Sequence, residues 1–275
     1  GHGTHIAGII AGRQPGKSPR NADEHPEWFM GVAPGAGLVS VKVADNTGAT
    51  DISQVIAGVD WVTDHAAQLD IRVLNLSYAS GSPLPYTSDP LAYAVERAWK
   101  AGIVVVVSAG NSGNLSSTLT SPALDPYVIA VAAVEATGNS SFSVPTWASS
   151  GDGVRNPDVA APGAHIESLR VPGSRVDQEH PEGYVSDTLF KGSGSSQAAA
   201  VVSGAAALLL DARPNLTNDQ VKALLQKRTV LATPTNPALS GAGVIQVDRV
   251  VDRFVGPSPQ AWTPATGDGS IEAAR

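Results

Sequence analysis

Residues 191–210 read Lys191-Gly-Ser-Gly-Ser-Ser196-Gln-Ala-Ala-Ala-Val-Val-Ser-Gly-Ala-Ala-Ala-Leu-Leu-Leu210. A turn of glycine and serine leads directly into small and apolar residues, a pattern that predicts a tight turn followed by a buried helix. Ser196 lies at the junction, where the backbone N–H groups of a helix N-terminus favour developing negative charge. Because a serine hydroxyl needs a neighbouring base to take its proton, this stretch predicts a nucleophile that depends on another part of the chain.

Runs of β-branched and apolar residues alternate with segments of helical periodicity. This alternation predicts an α/β fold with a mainly parallel sheet flanked by helices on both faces. Active groups are then expected at the carboxyl ends of the strands. Two polar stretches, 13–30 and about 171–189, are expected to be surface insertions. We expect strands at residues 38–43, 72–76, 103–108 and 128–134, and helices at 52–65, 91–100 and 217–226, the last with Thr217 as its N-cap.

Composition excludes several classes of function. The 275 residues are 42% hydrophobic and carry a net charge of −7, which suits one large domain and argues against a nucleic-acid-binding surface. The chain has no cysteine, which excludes thiol catalysis, cysteine-ligated metals and disulfides. The longest apolar run, 198–210, is interrupted by Ser203 and Gly204 and is too short to span a membrane.

Two further segments offer partners for Ser196. The first five residues, Gly1-His-Gly-Thr-His5, supply His2 or His5 as a base. Ser108-Ala-Gly-Asn111 follows a predicted strand, and an asparagine there either forms a turn or donates its amide to an oxyanion. The His-x-x-His spacing can also chelate a metal, but no glutamate adjoins it and the chain has no cysteine, so no metal site is predicted.

These segments, in this order, resemble the sequence motifs of the subtilisin-like serine proteases (subtilases). The family's histidine, oxyanion-asparagine and serine motifs match residues 2–8, 109–111 and 194–204. Weaker matches extend the resemblance over about residues 1–252. The chain departs from the usual family sequence at Ser195, where relatives usually carry threonine, and at Ala200, where they usually carry proline. The first change keeps the hydroxyl group, and the second is not expected to touch the chemistry.

The resemblance implies a serine endopeptidase that acts through an acyl-enzyme. Ser196 would be the nucleophile, and His2 would act as general base and then as general acid to the leaving amine. The amide of Asn111 would stabilise the oxyanion together with the Ser196 N–H group. In the family, the second histidine of the motif, here His5, is structural.

The resemblance also implies a substrate cleft. Relatives commonly carry leucine or phenylalanine and then glycine at positions 78–79, so the rim of this cleft is expected to differ. The edge along which substrate pairs as an added strand matches Gly48, Ala49 and Thr50. The two walls of the pocket for the residue before the scissile bond match Ser77, Tyr78 and Ala79, and Ser108, Ala109 and Gly110.

One member of the catalytic triad has no counterpart in the chain. In the family, an aspartate on a strand upstream of the histidine motif holds the imidazole, whereas Asp45, Asp51 and Asp60 fall in segments that match other family regions. We therefore expect a fragment that lacks the N-terminal strand or strands of the sheet and has little activity alone. Residues 1–255 are expected to form the truncated catalytic domain, and 256–275, rich in Pro, Ser, Thr and Gly, a linker or the start of a missing C-terminal region.

The family further implies protein or peptide substrates, a propeptide inhibitor and secretion. No organic cofactor is expected, and structural calcium is implied only by the resemblance, with no identifiable ligands. N-glycosylation sequons begin at Asn114 and Asn139. Two other functions remain open: a catalytically inactive subtilase-like binding module, and an α/β-hydrolase esterase. The esterase family places its histidine after the serine, whereas all six histidines here precede Ser196.

Overall fold

The structure is a computed structural model that describes residues 1–115, 117–138 and 140–275, so each of the two sequons includes one residue outside the description. Its α-helices are α1 (His2–Ala11), α2 (Ile52–Leu69), α3 (Pro90–Lys100), α4 (Arg175–Glu179), α5 (Ser195–Ala212), α6 (Asn218–Leu225), α7 (Pro237–Ser240) and α8 (Ile271–Ala274). Short 3-10 helices span Pro19–Glu24, Pro181–Gly183 and Val247–Arg249. Its strands are β1 (Val73–Leu76), β2 (Val104–Ser108), β3 (Ile129–Gly138), β4 (Ser141–Ser143), β5 (Val159–Pro162), β6 (Ile166–Leu169) and β7 (Leu189–Gly192).

A five-stranded sheet forms the centre of the fold. β1, β2, β3 and β5 are parallel, with β2 between β1 and β3, and with β5 on the other side of β3. β4 pairs antiparallel with the far end of β3, and β6 and β7 form a separate antiparallel hairpin. Helices flank this mainly parallel sheet, which confirms the α/β prediction and the strands expected at 72–76, 103–108 and 128–134.

Helix α5 is the central helix of the core. It contacts β1, β2, β3 and β5, and small residues such as Ala198, Ala199 and Ala206 are fully buried along it. Of the described residues, only this helix is long and apolar enough by composition to cross a membrane, with a mean hydropathy of 1.3. Because 67% of it is buried inside the domain, it has the character of a core helix.

The helix boundaries follow from local sequence. The Thr217 side chain accepts a hydrogen bond from the Gln220 N–H, and the Gln220 side chain accepts one from the Thr217 N–H, which forms the capping box of α6. Asp51 and Asp89 accept backbone N–H groups at the starts of α2 and α3. The predicted helices are therefore confirmed, and α2 continues as far as Leu69.

The strand predicted at residues 38–43 is wrong. Within the described part of the chain this segment forms no backbone ladder, and Leu38 and Val39 are 53% and 47% exposed. Val43 nevertheless packs against Gly58 of α2. β-branched residues form a strand only where their backbone groups find a partner. β1, in the same described residues, pairs only with β2 and leaves its other edge open.

The C-terminal segment 256–275 packs against the rest of the domain. Its first 15 residues contain no helix or strand, as their Pro and Gly content predicts. The Ala265 N–H donates to the buried Glu96 carboxylate at 2.7 Å, and the Thr266 N–H donates to a backbone carbonyl at 2.7 Å. Ala274 is fully buried. The domain boundary near residue 255 stays a prediction.

Candidate active site

Helices α1 and α5 lie side by side and run in the same direction. Ile6 and Ala200 share one hydrophobic cluster between them. One turn further along both helices, a Cβ placed on Gly204 would lie 3.4 Å from the Ile10 carbonyl oxygen. The N-termini of the two helices therefore lie at the same end, which brings the segment of the predicted base, His2, beside that of the predicted nucleophile.

The turn before Ser196 is fixed by close backbone contacts. The Gly194 N–H donates to the Gly163 carbonyl oxygen at 2.8 Å. A Cβ on Gly163 would lie 2.7 Å from the Gly194 carbonyl oxygen, so a residue with a side chain does not fit there. Ser196 is the second residue of α5 and is only partly buried, so the turn holds its hydroxyl near the surface.

A chain of side-chain hydrogen bonds ties the end of β1 to the start of α5. Ser77 Oγ donates to the Ser196 carbonyl oxygen at 3.1 Å and accepts from Asn75 Nδ2 at 3.0 Å. Ser203 Oγ in turn donates to Asn75 Oδ1 at 2.9 Å. Ser77, which was predicted to line the pocket, thus also holds the backbone of Ser196 in place. Sequence reasoning missed Asn75 and Ser203, although the position of Asn75 within a strand-end motif was a usable signal.

Asn111 is clamped to the residue before Ser196. Asn111 Oδ1 accepts from the Ser195 N–H at 2.9 Å and from Ser195 Oγ at 3.0 Å. Because a backbone N–H can only donate, this contact assigns the amide oxygen and leaves Asn111 Nδ2 free of the clamp. A Cβ on Gly194 would lie 3.3 Å from Asn111 Nδ2, so this donor faces the turn that carries the nucleophile. The buried Ser195 hydroxyl also accepts the Gly110 N–H at 3.0 Å.

The two predicted pocket walls lie at the carboxyl ends of β1 and β2. Ser108 and Ala109 are buried, so they can offer a substrate only their backbone. Gly110 has a φ of 114°, and a Cβ on it would lie 2.7 Å from a serine hydroxyl, so this position requires glycine. On the opposite wall Ala79 is exposed, and Tyr78 packs against the core. Burial, followed by a nearby carboxylate, raises the pKa of the Tyr78 phenol.

The predicted substrate edge is a loop organised by Asp45. Asp45 Oδ1 accepts from Thr47 Oγ1 at 2.7 Å and from the N–H groups of Thr47 and Ala49 at 2.8 and 3.0 Å. The hydrogen bonds from Thr47 lower the pKa of the Asp45 carboxyl. Gly48 turns the chain with a φ of 84°, and Thr50 Oγ1 donates to a backbone carbonyl at 2.6 Å. The edge therefore keeps a fixed shape without substrate.

The two histidines of the first motif differ in environment. His2 stands at the exposed start of α1, where desolvation by surrounding atoms lowers its pKa, which favours the neutral imidazole that a base requires. His5 is 5% exposed, its ring meets the Phe190 ring edge-on at 6.3 Å, and burial lowers its pKa to about 4. Exposure therefore favours His2 over His5 as the base.

No carboxylate among the described residues hydrogen-bonds or ion-pairs with His2. Asp45 closes its own loop, Asp51 caps α2, and Asp60 pairs with Arg97 at 2.6 Å. The residues that the structure describes also contain no group of three or more His, Cys, Asp or Glu that could hold a metal ion. The calcium expected from the resemblance thus stays without assigned ligands.

Comparisons with known proteins show which family the chain belongs to. The family model Peptidase_S8, the subtilase family, matches residues 1–249. The serine protease AprX of Bacillus subtilis (strain 168) is 37% identical over 265 residues, which cover 91% of this chain and 58% of AprX. Subtilisin DY of Bacillus licheniformis is 34% identical over 254 residues, which cover 90% of this chain and 76% of that protein. The solved structure of sphericase superposes with a TM-score of 0.72 at 27% identity and covers 90% of this chain and 77% of sphericase.

The chain therefore belongs to the subtilase family, which confirms the recognition made from its motifs. The structural likeness to sphericase likewise confirms the subtilisin-like α/β fold. The chain spans 58% of the length of AprX and 54% of that of subtilisin E of Bacillus subtilis (strain 168).

Proposed function

We propose that the protein is a serine endopeptidase. Ser196 Oγ attacks the carbonyl carbon of a peptide bond while His2 takes its proton, and His2 then returns that proton to the leaving amine. Water hydrolyses the resulting acyl-enzyme by the same route in reverse. The observation that carries the proposal is the clamp between Asn111 and Ser195, because it leaves the amide nitrogen as a preorganised donor beside the nucleophile turn.

The proposed mechanism requires a carboxylate that orients His2. We place it on a strand paired with the open edge of β1, since that edge has no partner among the described residues and the segment 38–43 has none either. Loss of the triad aspartate costs about 3 × 10⁴ in kcat in subtilisin, a member of the same family. The 275 residues are therefore expected to be nearly inactive unless such a strand is present.

Protein or peptide chains are the proposed substrates, bound as an added strand along Gly48, Ala49 and Thr50. The reaction needs no organic cofactor. A propeptide inhibitor, a structural calcium ion and an extracellular location are further proposals from the family. The two alternative functions predict different results. An inactive binding module would bind peptides without reacting at Ser196. An esterase would cleave esters but not peptides.

The test uses the complete protein that contains these residues. We expect a fluorophosphonate probe to label it and a peptide p-nitroanilide to be cleaved, with both activities lost in Ser196→Ala. Ser258→Ala serves as the matched control, because that serine lies in the surface segment after residue 255, and it is expected to behave like the wild type. A folded protein that neither labels nor cleaves would contradict the proposed function, as would labelling that persists in Ser196→Ala.

A further inference from the structure

The β6–β7 hairpin carries a folded tip, defined here as residues 170–188. Arg170 and Asp177 form a two-point ion pair, with Nε to Oδ1 at 2.6 Å and Nη2 to Oδ2 at 2.9 Å. Asp177 Oδ2 also accepts the Gly173 N–H at 2.8 Å, and the Arg170 guanidinium lies 4.8 Å from the centre of the Tyr184 ring. Planar two-point pairs of this kind fix direction as well as distance. The hairpin tip is therefore a preorganised unit, although its sequence predicted only a polar surface insertion.

One side of the hairpin tip lies against the start of α1. A Cβ on Gly1 would lie 2.6 Å from Ser174 Oγ and 3.4 Å from Val176 Cβ. At the base of the same hairpin, Ser168 Oγ donates to the His5 carbonyl oxygen at 2.7 Å. The helix α4 thus stands beside the residue that precedes the proposed base.

The other side of the hairpin tip reaches the proposed substrate edge. Arg175 Nη1 donates to the Thr47 carbonyl oxygen at 2.6 Å, and Arg175 Nε pairs with Glu179 Oε1 at 2.7 Å. Thr47 directly precedes the glycine of the substrate edge. Residues 45–49 of the loop are exposed, and the segment before it, 38–43, pairs with no strand in the described chain. Among the described residues, the bond from Arg175 to Thr47 is the one hydrogen bond that joins the loop 45–50 to the hairpin tip.

We infer that the hairpin tip forms a wall of the substrate cleft and that Arg175 is a positioning residue for extended peptides. Its guanidinium holds the substrate edge at a fixed place relative to α1, so that the edge is preorganised to bind an extended peptide strand. A substrate with several residues before the scissile bond uses this edge, whereas a single-residue ester does not reach it. The inference rests on the proposed function for its catalytic meaning and on the contacts above for its geometry.

A purely structural role for Arg175 makes a different prediction. The Arg175 side chain is 55% exposed, and an exposed ion pair contributes little to stability. Arg97 offers a matched control, because its side chain is 42% exposed and pairs with Asp60 at 2.6 Å on helices outside the proposed cleft. If Arg175 acted only through general stability, both arginine substitutions would have the same small effect on every substrate.

The experiment compares Arg175→Gln with Arg97→Gln in the complete protein. For Arg175→Gln we expect the KM of a tetrapeptide p-nitroanilide to rise about threefold to tenfold, the loss expected for one solvent-exposed hydrogen bond. We expect kcat and the rate of hydrolysis of a single-residue p-nitrophenyl ester to stay within about twofold of the wild type. Tm is expected to stay within a few degrees of the wild type. Arg175→Lys is expected to recover part of the loss, because lysine keeps the charge without the planar fork.

A second measurement separates this inference from the proposed function. The affinity of a dye-labelled hexapeptide is measured in a Ser196→Ala background, with and without Arg175→Gln. A Kd that rises by the same factor supports the inference even in a protein that does not cleave peptides. An unchanged KM and Kd, an equal loss on the tetrapeptide and the ester, or an equal effect of Arg97→Gln would overturn it.

Discussion

Replacing Asn111 by alanine is expected to lower kcat about 10²–10³-fold, which corresponds to about 2.7–4 kcal/mol and is the loss for one oxyanion donor in subtilisin, a member of this family. The structure explains why a single atom carries the effect. Asn111 Oδ1 is occupied by two donors from Ser195, so only Nδ2 is left for the oxyanion. Since this donor acts mainly on the charge that develops in the transition state, KM is expected to change less than about threefold.

The companion substitution Asn111→Asp separates the chemistry from the packing. An aspartate can still accept both hydrogen bonds from Ser195, but it lacks the donor and adds a negative charge beside the oxyanion. Alanine instead leaves the Ser195 N–H without its acceptor, which costs about 1–3 kcal/mol of stability. We therefore expect a lower Tm only for alanine, and a kcat at least as low for aspartate.

The assay is the steady-state hydrolysis of a tetrapeptide p-nitroanilide by the complete protein, with active sites counted by fluorophosphonate labelling. A kcat loss below tenfold in both variants would refute the assignment of Asn111 Nδ2 as the oxyanion donor. A rise in KM that accounts for the whole loss would also refute it, because the amide would then bind substrate and transition state equally.

Three further outcomes follow from the fold. Gly110→Ala is expected to lower both Tm and kcat, because the φ of 114° and a 2.7 Å approach to Ser149 Oγ leave no room for a Cβ; unchanged thermal unfolding would contradict this. Lys222→Met is expected to cost about 1–3 kcal/mol in urea unfolding, since it removes the buried ammonium that pairs with Asp158 at 3.1 Å, although Arg155 still pairs with that carboxylate; an unchanged free energy of unfolding would contradict it. Burial raises the pKa of Asp125 from 3.8 to about 7, so the folded state holds this proton more tightly than the unfolded state and stability falls as pH rises from about 4 to 7. Asp125→Asn is expected to flatten that fall in urea midpoints measured across the same range, and an unchanged slope would contradict the assignment.

The sequence predicted those parts of the molecule whose signals are local. The helix that begins at Ser195 and the N-cap at Thr217 depend on residues that are neighbours in the chain. The buried strand β2 is likewise a continuous run of valines, and a short run of β-branched residues indicates a strand buried on both faces. The resemblance to the subtilases added the order of the motifs, which composition and periodicity alone do not provide.

The contacts that the sequence did not predict join distant segments. The chain of hydrogen bonds from Ser203 through Asn75 and Ser77 to Ser196 connects β1 to α5, and it exists only because the parallel sheet places the strand end under the helix start. The contact between Arg175 and the loop 45–50 spans 128 positions. The polar composition of the hairpin tip predicted only that it lies on the surface. Its position beside the proposed cleft depends on the packing of β6 against α1, which the sequence does not show.

The strand proposed beside β1 explains two findings together. Residues 38–43 form no strand, and among the described residues His2 has no carboxylate partner. Val41 and Val43 face inward and Lys42 faces outward, which is the alternation of a strand whose ladder lacks a partner. β1 is half-buried along its length, whereas β2 and most of β3 are buried, so apolar surface remains open at that edge. One added strand beside β1 would cover this surface and satisfy the open backbone groups. The end of such a strand would also stand with the other carboxyl ends of the sheet, where the His2 imidazole needs its carboxylate.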